Sequence, residues 1–277
     1  MIKFSASFEN ISSNGGFSFV SGILDSISGM SLWDRLLAVH CNTRFSHQTI
    51  VRSAIGLMTA GCCDFADIEK FCGDAMFRHL VGQDIPSQET FRQRMNLLSE
   101  TSWTPVVDGI VAELLRKASL GRISMHGTDY IPIDIDVAVM EDTSSNKEGV
   151  AMSYHQVKGY APIFCYAGTQ GYMVADEMRP GNQHCEKGAV EFLRRCVGII
   201  LRAGYKASEL LLRVDSGHDS ADFIEAAESL GIKYLVKRNP RREDEHQLLD
   251  SIHSYEPGFP STHNEECHCG GMTSNAA

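Results

Sequence analysis

Two aspartates stand at the ends of two short apolar segments. One lies in Ile133-Asp134-Ile135-Asp136-Val137 and the other in Leu211-Leu212-Arg213-Val214-Asp215-Ser216-Gly217. A carboxylate at the end of an apolar strand is costly to hold unless something positive sits beside it. A divalent cation meets that need, because Mg²⁺ takes one or two carboxylates and keeps its other positions for water and phosphate oxygens. The pair therefore predicts a metal site that works on phosphate groups.

Such a site needs two strands that bring the carboxylates together. After Gly121 the hydrophobic period shifts from helical to alternating, with strands expected at 123–125, 130–139, 160–166 and 171–178. A helix is expected over 186–203, a strand over 209–214, a helix over 219–230 and a strand over 232–236. Leaving aside the short first segment, the order is strand, strand, strand, helix, strand, helix, strand. Strands without intervening helices make a meander, and the later strand-helix-strand units add parallel strands. A doubly wound fold would alternate from its first strand. The ribonuclease H-like fold, an α/β fold with a mixed sheet, has the order seen here. Its metal carboxylates come from the first and fourth strands, the places of Asp136 and Asp215.

Upstream, residues 1–30 are rich in Ser, Gly and Phe and read as an extended lead-in. Residues 31–120 read as a helical domain. Leu32, Leu36, Leu37 and Val39 form one apolar stripe, and Ile50, Ala54, Ile55, Leu57 and Met58 another. Pro86-Ser87-Gln88-Glu89-Thr90-Phe91 is a helix start, with Ser87 as cap and Glu89 in the first turn. The helix it opens carries Arg92 and Arg94, which read either as phosphate contacts on a recognition-like helix or as a solvated face. Residues 121–240 form the sheet domain. Residues 241–277 form a polar tail with little to bury, expected to be disordered.

Composition limits the rest. The chain has 277 residues, of which 43% are hydrophobic and 22% charged, enough for two globular domains. No stretch is apolar enough to span a bilayer, and the first ten residues lack the apolar core of a secretion signal. The 9 cysteines are an odd number without a small-scaffold spacing, which predicts reduced, mostly buried thiols in a cytoplasmic protein. The net charge of −10 argues against a simple nucleic-acid coat, though not against an enzyme whose acidic cluster is neutralised by metal.

The segment from Gly121 to Asn239 resembles the catalytic domain of bacterial insertion-sequence transposases of the Asp-Asp-Glu (DDE) type. Five stretches carry the resemblance in order: Asp134-Ile135-Asp136, Lys158-Gly159-Tyr160-Ala161-Pro162, Arg179-Pro180-Gly181-Asn182, Arg213-Val214-Asp215-Ser216-Gly217, and Lys233-Tyr234-Leu235-Val236-Lys237. Pro86-Ser87-Gln88-Glu89-Thr90-Phe91-Arg92 extends it into the helical part. The resemblance implies two divalent ions, Mg²⁺ or Mn²⁺, held by Asp, Asp and Glu. It implies double-stranded DNA as partner (element ends and target), self-association, and a place at the bacterial nucleoid. Cleavage at the element end would be followed by strand transfer. Residues two apart share a strand face, so alternation does not choose between Asp134 and Asp136. The family pattern puts the ligand nearest the strand end, which favours Asp136 with Asp134 second. Lys158 and Arg179 join Arg92 and Arg94 as expected DNA contacts.

The resemblance departs at the third carboxylate, which belongs on a helix after the fifth strand. Glu243, Glu245, Glu265 and Glu266 do not sit in such a helix pattern. This predicts a C-terminally shortened chain with a weakened or inactive site. Other readings stay open. Asp134 can pair with Lys158, Asp215 can cap a turn, and Arg179 can pair with Asp176 or Glu177. Asp134-x-Asp136 also suits an aspartyl-nucleophile phosphatase, although Ala138 stands at the position that class requires. A DNA-end-binding remnant without catalysis is the further alternative. Cys267-His268-Cys269 with His263 is too tightly spaced for the usual zinc pair.

Overall fold

The computed structural model describes residues 13–27 and 44–239. The stripe at Leu32, Leu36, Leu37 and Val39, the acidic residues from Glu243 onward and the Cys/His tail lie outside the described residues.

The helical part is built by capped helices around a phenylalanine cluster. Ser46 accepts from the Thr49 amide and starts α2 (His47–Thr59). Asp64 and Asp67 form a capping box on the 3-10 helix Phe65–Phe71, and Asp74 caps α3 (Ala75–Val81). Ser87 caps α4 (Gln88–Ser99), as its neighbours predict, and Pro105 sits in the first turn of α5 (Thr104–Lys117). The expected extended lead-in is corrected in one place: Phe17–Asp25 is a helix, α1. No side chain caps it. Packing holds it, since Phe17 meets Phe71 and Phe77 edge-on at 5.8 and 5.3 Å between centroids.

The sheet part begins with a hairpin, β1 (Ile123–Met125) and β2 (Thr128–Val137). Next along the main sheet come β6 (Ile163–Ala167), β7 (Tyr172–Glu177), α6 (Ala189–Arg202), β8 (Leu210–Val214), α7 (Ala221–Ser229) and β9 (Lys233–Val236). In space the order is β7-β6-β2-β8-β9. β6 and β7 run antiparallel to the centre, whereas β2, β8 and β9 are mutually parallel. The three strands β3 (Met140–Glu141), β4 (Ala151–Met152) and β5 (Lys158–Tyr160) form a separate small sheet between β2 and β6. The single strand expected over 160–166 is thus two. Pro162 has no amide to donate, and the chain changes sheets there.

The core sits on one face of the main sheet. Ile131, Ile133 and Ile135 of β2 are buried with Leu210, Leu212 and Val214 of β8. They pack on Phe192, Leu193, Cys196, Val197 and Ile200 of α6, which recur at helical spacing, and on Phe223 and Ala227 of α7. The opposite face of the same two strands therefore carries the even-numbered residues of β2, Asp134 and Asp136. The helical part is tied on by Asp108 of α5, which accepts from Arg195 Nη2 at 2.7 Å and Nε at 3.1 Å. The Tyr205 hydroxyl adds a second tie, 2.8 Å from the Ala118 carbonyl.

Candidate metal centre

The strand register fixes which acidic residues meet. β2 and β8 pair in parallel with Asp134 opposite Arg213 and Ile135 opposite Val214. Both side chains of the first pair lie on the same face, because Arg213 grips Asp134 with two bonds of 2.7 Å, from Nε to Oδ1 and Nη2 to Oδ2. Asp215 keeps an extended backbone, with φ −78° and ψ −178°. Two residues on along each strand, Asp136 and Asp215 are therefore neighbours on that same face.

The two carboxylates are held alike. Asp136 Oδ1 accepts the Val137 amide at 2.8 Å. Asp215 Oδ1 accepts the Gly217 amide at 3.0 Å and faces His218 Nδ1 at 3.1 Å. No hydrogen bond among the described residues engages Oδ2 of either. Asp215 does cap a turn, the 3-10 turn Ser216–His218, but this occupies Oδ1 alone. Two exposed, hard oxygen donors on adjacent strands suit a divalent ion. A set of three metal-ligating side chains is not assembled among the described residues.

Asp134 stands apart. Both its oxygens are taken by Arg213, and their hydrogen bonds push the guanidinium pKa up. Its partner is Arg213 and not Lys158, whose Nζ lies 3.2 Å from Asn146 Oδ1. The pairing was missed because it depends on register. The shared two-residue spacing of Asp134-x-Asp136 and Arg213-x-Asp215 is the trace it leaves in the sequence. The aspartyl-nucleophile reading meets the same obstacle, since a nucleophilic carboxylate cannot have both oxygens held.

The expected DNA contacts divide. Arg92 is exposed and forked onto Glu89, with Nη2 to Oε1 at 2.7 Å. Arg94 is corrected: it faces inward at 7% exposure, because the apolar stripe of α4 turns it under the helix. Arg179 is corrected too. At 2% exposure it is buried, with Nε to Glu177 Oε1 at 3.1 Å, Nη1 to the Cys185 carbonyl at 3.3 Å, and its guanidinium 5.9 Å from the Phe192 ring centre. In this structure the guanidinium is enclosed on these sides. Among the expected contacts, Lys158 and Arg92 remain accessible.

Arg179 braces the turn beside Asp215. It holds the Cys185 carbonyl, and the Cys185 thiol donates to the Gly217 carbonyl at 2.9 Å. Burial pushes that thiol's pKa up, which keeps the donor protonated. A cleft of about 300 Å³ opens here between His184, Cys185, Glu186, Ser216, Gly217 and Asn239. Cys185 is a free thiol, like the other described cysteines, but Cys63 and Cys72 are exposed and not buried as expected.

No curated protein matches the chain. Solved structures similar to it include the simian T-cell lymphotropic virus intasome in complex with PP2A regulatory subunit B56 gamma, at 12% identity and TM-score 0.30, covering 72% of this chain and 55% of that one. The piggyBac transposase synaptic complex with hairpin DNA is similar at 11% identity and TM-score 0.39, covering 84% and 53%. The Mos1 transposase paired-end complex with left transposon end is similar at 11% and TM-score 0.27, covering 87% and 90%. The chain spans about half the length of the first two. No described helix is long and apolar enough to cross a membrane. The family description "Transposase DDE domain group 1" matches residues 1–256, nearly the whole chain. The chain belongs to the DDE-domain group 1 transposases.

Proposed function

We propose that this transposase cleaves DNA and transfers the freed strand using Asp136 and Asp215 as ligands for Mg²⁺ or Mn²⁺. The observation that carries the proposal is the register of β2 and β8, which makes the two carboxylates neighbours on one face, each with an uncommitted Oδ2. The sheet order β7-β6-β2-β8-β9, with β2 central and β8 parallel beside it, supports a ribonuclease H-like reading of the core.

In this reading Asp136 and Asp215 each turn Oδ2 toward the ion while a backbone amide keeps Oδ1. When bound there, divalent ions would supply activation of the attacking oxygen and charge stabilisation at the leaving oxygen. Arg213 holds both oxygens of Asp134, so this carboxylate is not offered to the ions. Lys158 and Arg92 meet the backbone of double-stranded DNA, the element ends and target, and self-association pairs those ends. Work on DNA in a bacterial nucleoid follows from the same reading.

The test is cleavage of linear duplexes drawn from the DNA flanking the coding sequence, with Mg²⁺ or Mn²⁺. Nicking at one position near each end, lost in Asp136→Asn and Asp215→Asn, is expected. Binding without any cut under either ion would favour the end-binding reading. Rapid turnover of a generic phosphomonoester, lost in Asp134→Asn, would favour the phosphatase.

A further inference from the structure

We propose that His218 is a positioning residue for Asp215, fixing which carboxylate oxygen is offered to the cation. The inference rests on the functional reading above, because it concerns how this chain prepares one of the two ligands.

His218 is 1% exposed, yet its ring does not serve only as filling. Nδ1 lies 3.1 Å from Asp215 Oδ1. An ionised carboxylate only accepts, so the proton of this bond sits on Nδ1. Nε2 is buried, and no protein group among the described residues bonds it. Leaving a buried ring nitrogen without a partner costs free energy that a phenylalanine or leucine would not. The ring is packed against Phe223, 5.2 Å between centroids, and borders a cavity of about 100 Å³ shared with Glu186, Val190, Ser220 and Asp222. The polar contact that the imidazole makes here is the one from Nδ1 to Asp215.

The effect on Asp215 is geometric. The terminal torsion of an aspartate is broad, so one hydrogen bond leaves the carboxylate free to rock. Gly217 supplies one donor and His218 a second, both to Oδ1. Two donors on one oxygen fix the plane and leave Oδ2 as the outward donor. Groups that orient a metal ligand typically change metal affinity by about 10- to 100-fold when removed.

The test uses the full chain and Mn²⁺, with free ion read by electron paramagnetic resonance during titration. Asp136→Ala and Asp215→Ala are the references. His218→Leu should weaken Mn²⁺ binding by about tenfold or more. His218→Asn keeps an N–H near the Nδ1 position and should restore affinity to within about threefold. In an Asp215→Ala background, His218→Leu should change nothing further. Circular dichroism and thermal melts identify variants that fail to fold, and the His218→Asn comparison still decides if His218→Leu is one of them. If Asp215→Ala weakens Mn²⁺ while folded His218→Leu binds as wild type, the positioning role alone is overturned. The same holds if His218→Asn is as weak as His218→Leu. If neither aspartate substitution affects Mn²⁺, the functional reading falls and takes this inference with it.

Discussion

At the scale of residues, three aspartates of similar sequence context have three different surroundings. Asp136 and Asp215 each give one oxygen to a backbone amide, whereas Asp134 gives both to Arg213. Asp134→Asn should therefore leave Mn²⁺ affinity within about threefold. It should cost about 0.5–1 kcal/mol in urea denaturation, the upper range for a forked pair at the surface. A loss of Mn²⁺ binding in that variant would show that Asp134 is a ligand. The places of Asp136 and Asp215 at the ends of apolar strands were legible in the sequence from the runs that precede them. The partners Arg213 and His218 were not, since a two-strand register and a 3-10 turn bring them there.

Charge also sets a pH dependence away from the site. The hydrogen bond from Arg52, at 2.5 Å, holds the Asp25 carboxyl below the usual carboxylate range. A depressed folded-state pKa means stability that is present above about pH 4, the unfolded value, and lost as pH falls through the folded one. The stability gap between wild type and Arg52→Met, followed by thermal melts, should accordingly narrow as pH drops below about 4. A gap that widens in acid would contradict this assignment.

At the scale of elements, helix starts were readable where a capping residue precedes an apolar run, as at Ser87. α1 was not, because no side chain caps it and it is held by Phe71 and Phe77. Here tertiary packing overrides local preference. The small sheet also escaped, since its strands are two or three residues long. Its centre depends on Gly159, where a Cβ would lie 2.0 Å from the Met140 carbonyl oxygen. Gly159→Ala should open this sheet, seen as new proteolytic cleavage between residues 138 and 160 while the main melting transition persists.

Between layers, Asp108 joins α5 to α6 through Arg195. Asp108→Ala leaves the partly buried Arg195 guanidinium with only the Asp176 carbonyl as acceptor and should cost about 2 kcal/mol in denaturant titration. A change below about 0.5 kcal/mol would mean that Tyr205 and apolar packing suffice.

At the scale of the whole molecule, the shift from helices to strands and the later helix-strand-helix-strand run were legible from period changes, whereas β3, β4 and β5 were not. The spatial order was not, because hydrophobic period says nothing of which edges pair. That order gives the sheet its two faces. Ile131, Ile133 and Ile135 face the helices, which leaves the intervening aspartates on the other side. Core and site are consequences of one alternation. Ile133→Ala should destabilise the fold by about 2–5 kcal/mol, as cavity-forming changes in a close-packed core do. No group of three candidate metal ligands is assembled among the described residues, so the proposed ion site is argued from Asp136 and Asp215.

The most direct measurement is anomalous diffraction at the manganese edge from crystals of the full chain soaked in Mn²⁺. A peak is expected within coordination distance of Oδ2 of both Asp136 and Asp215, with the Asp134–Arg213 fork intact. A peak on Asp134, or none near Asp136 and Asp215 at saturating Mn²⁺, would contradict the proposed site.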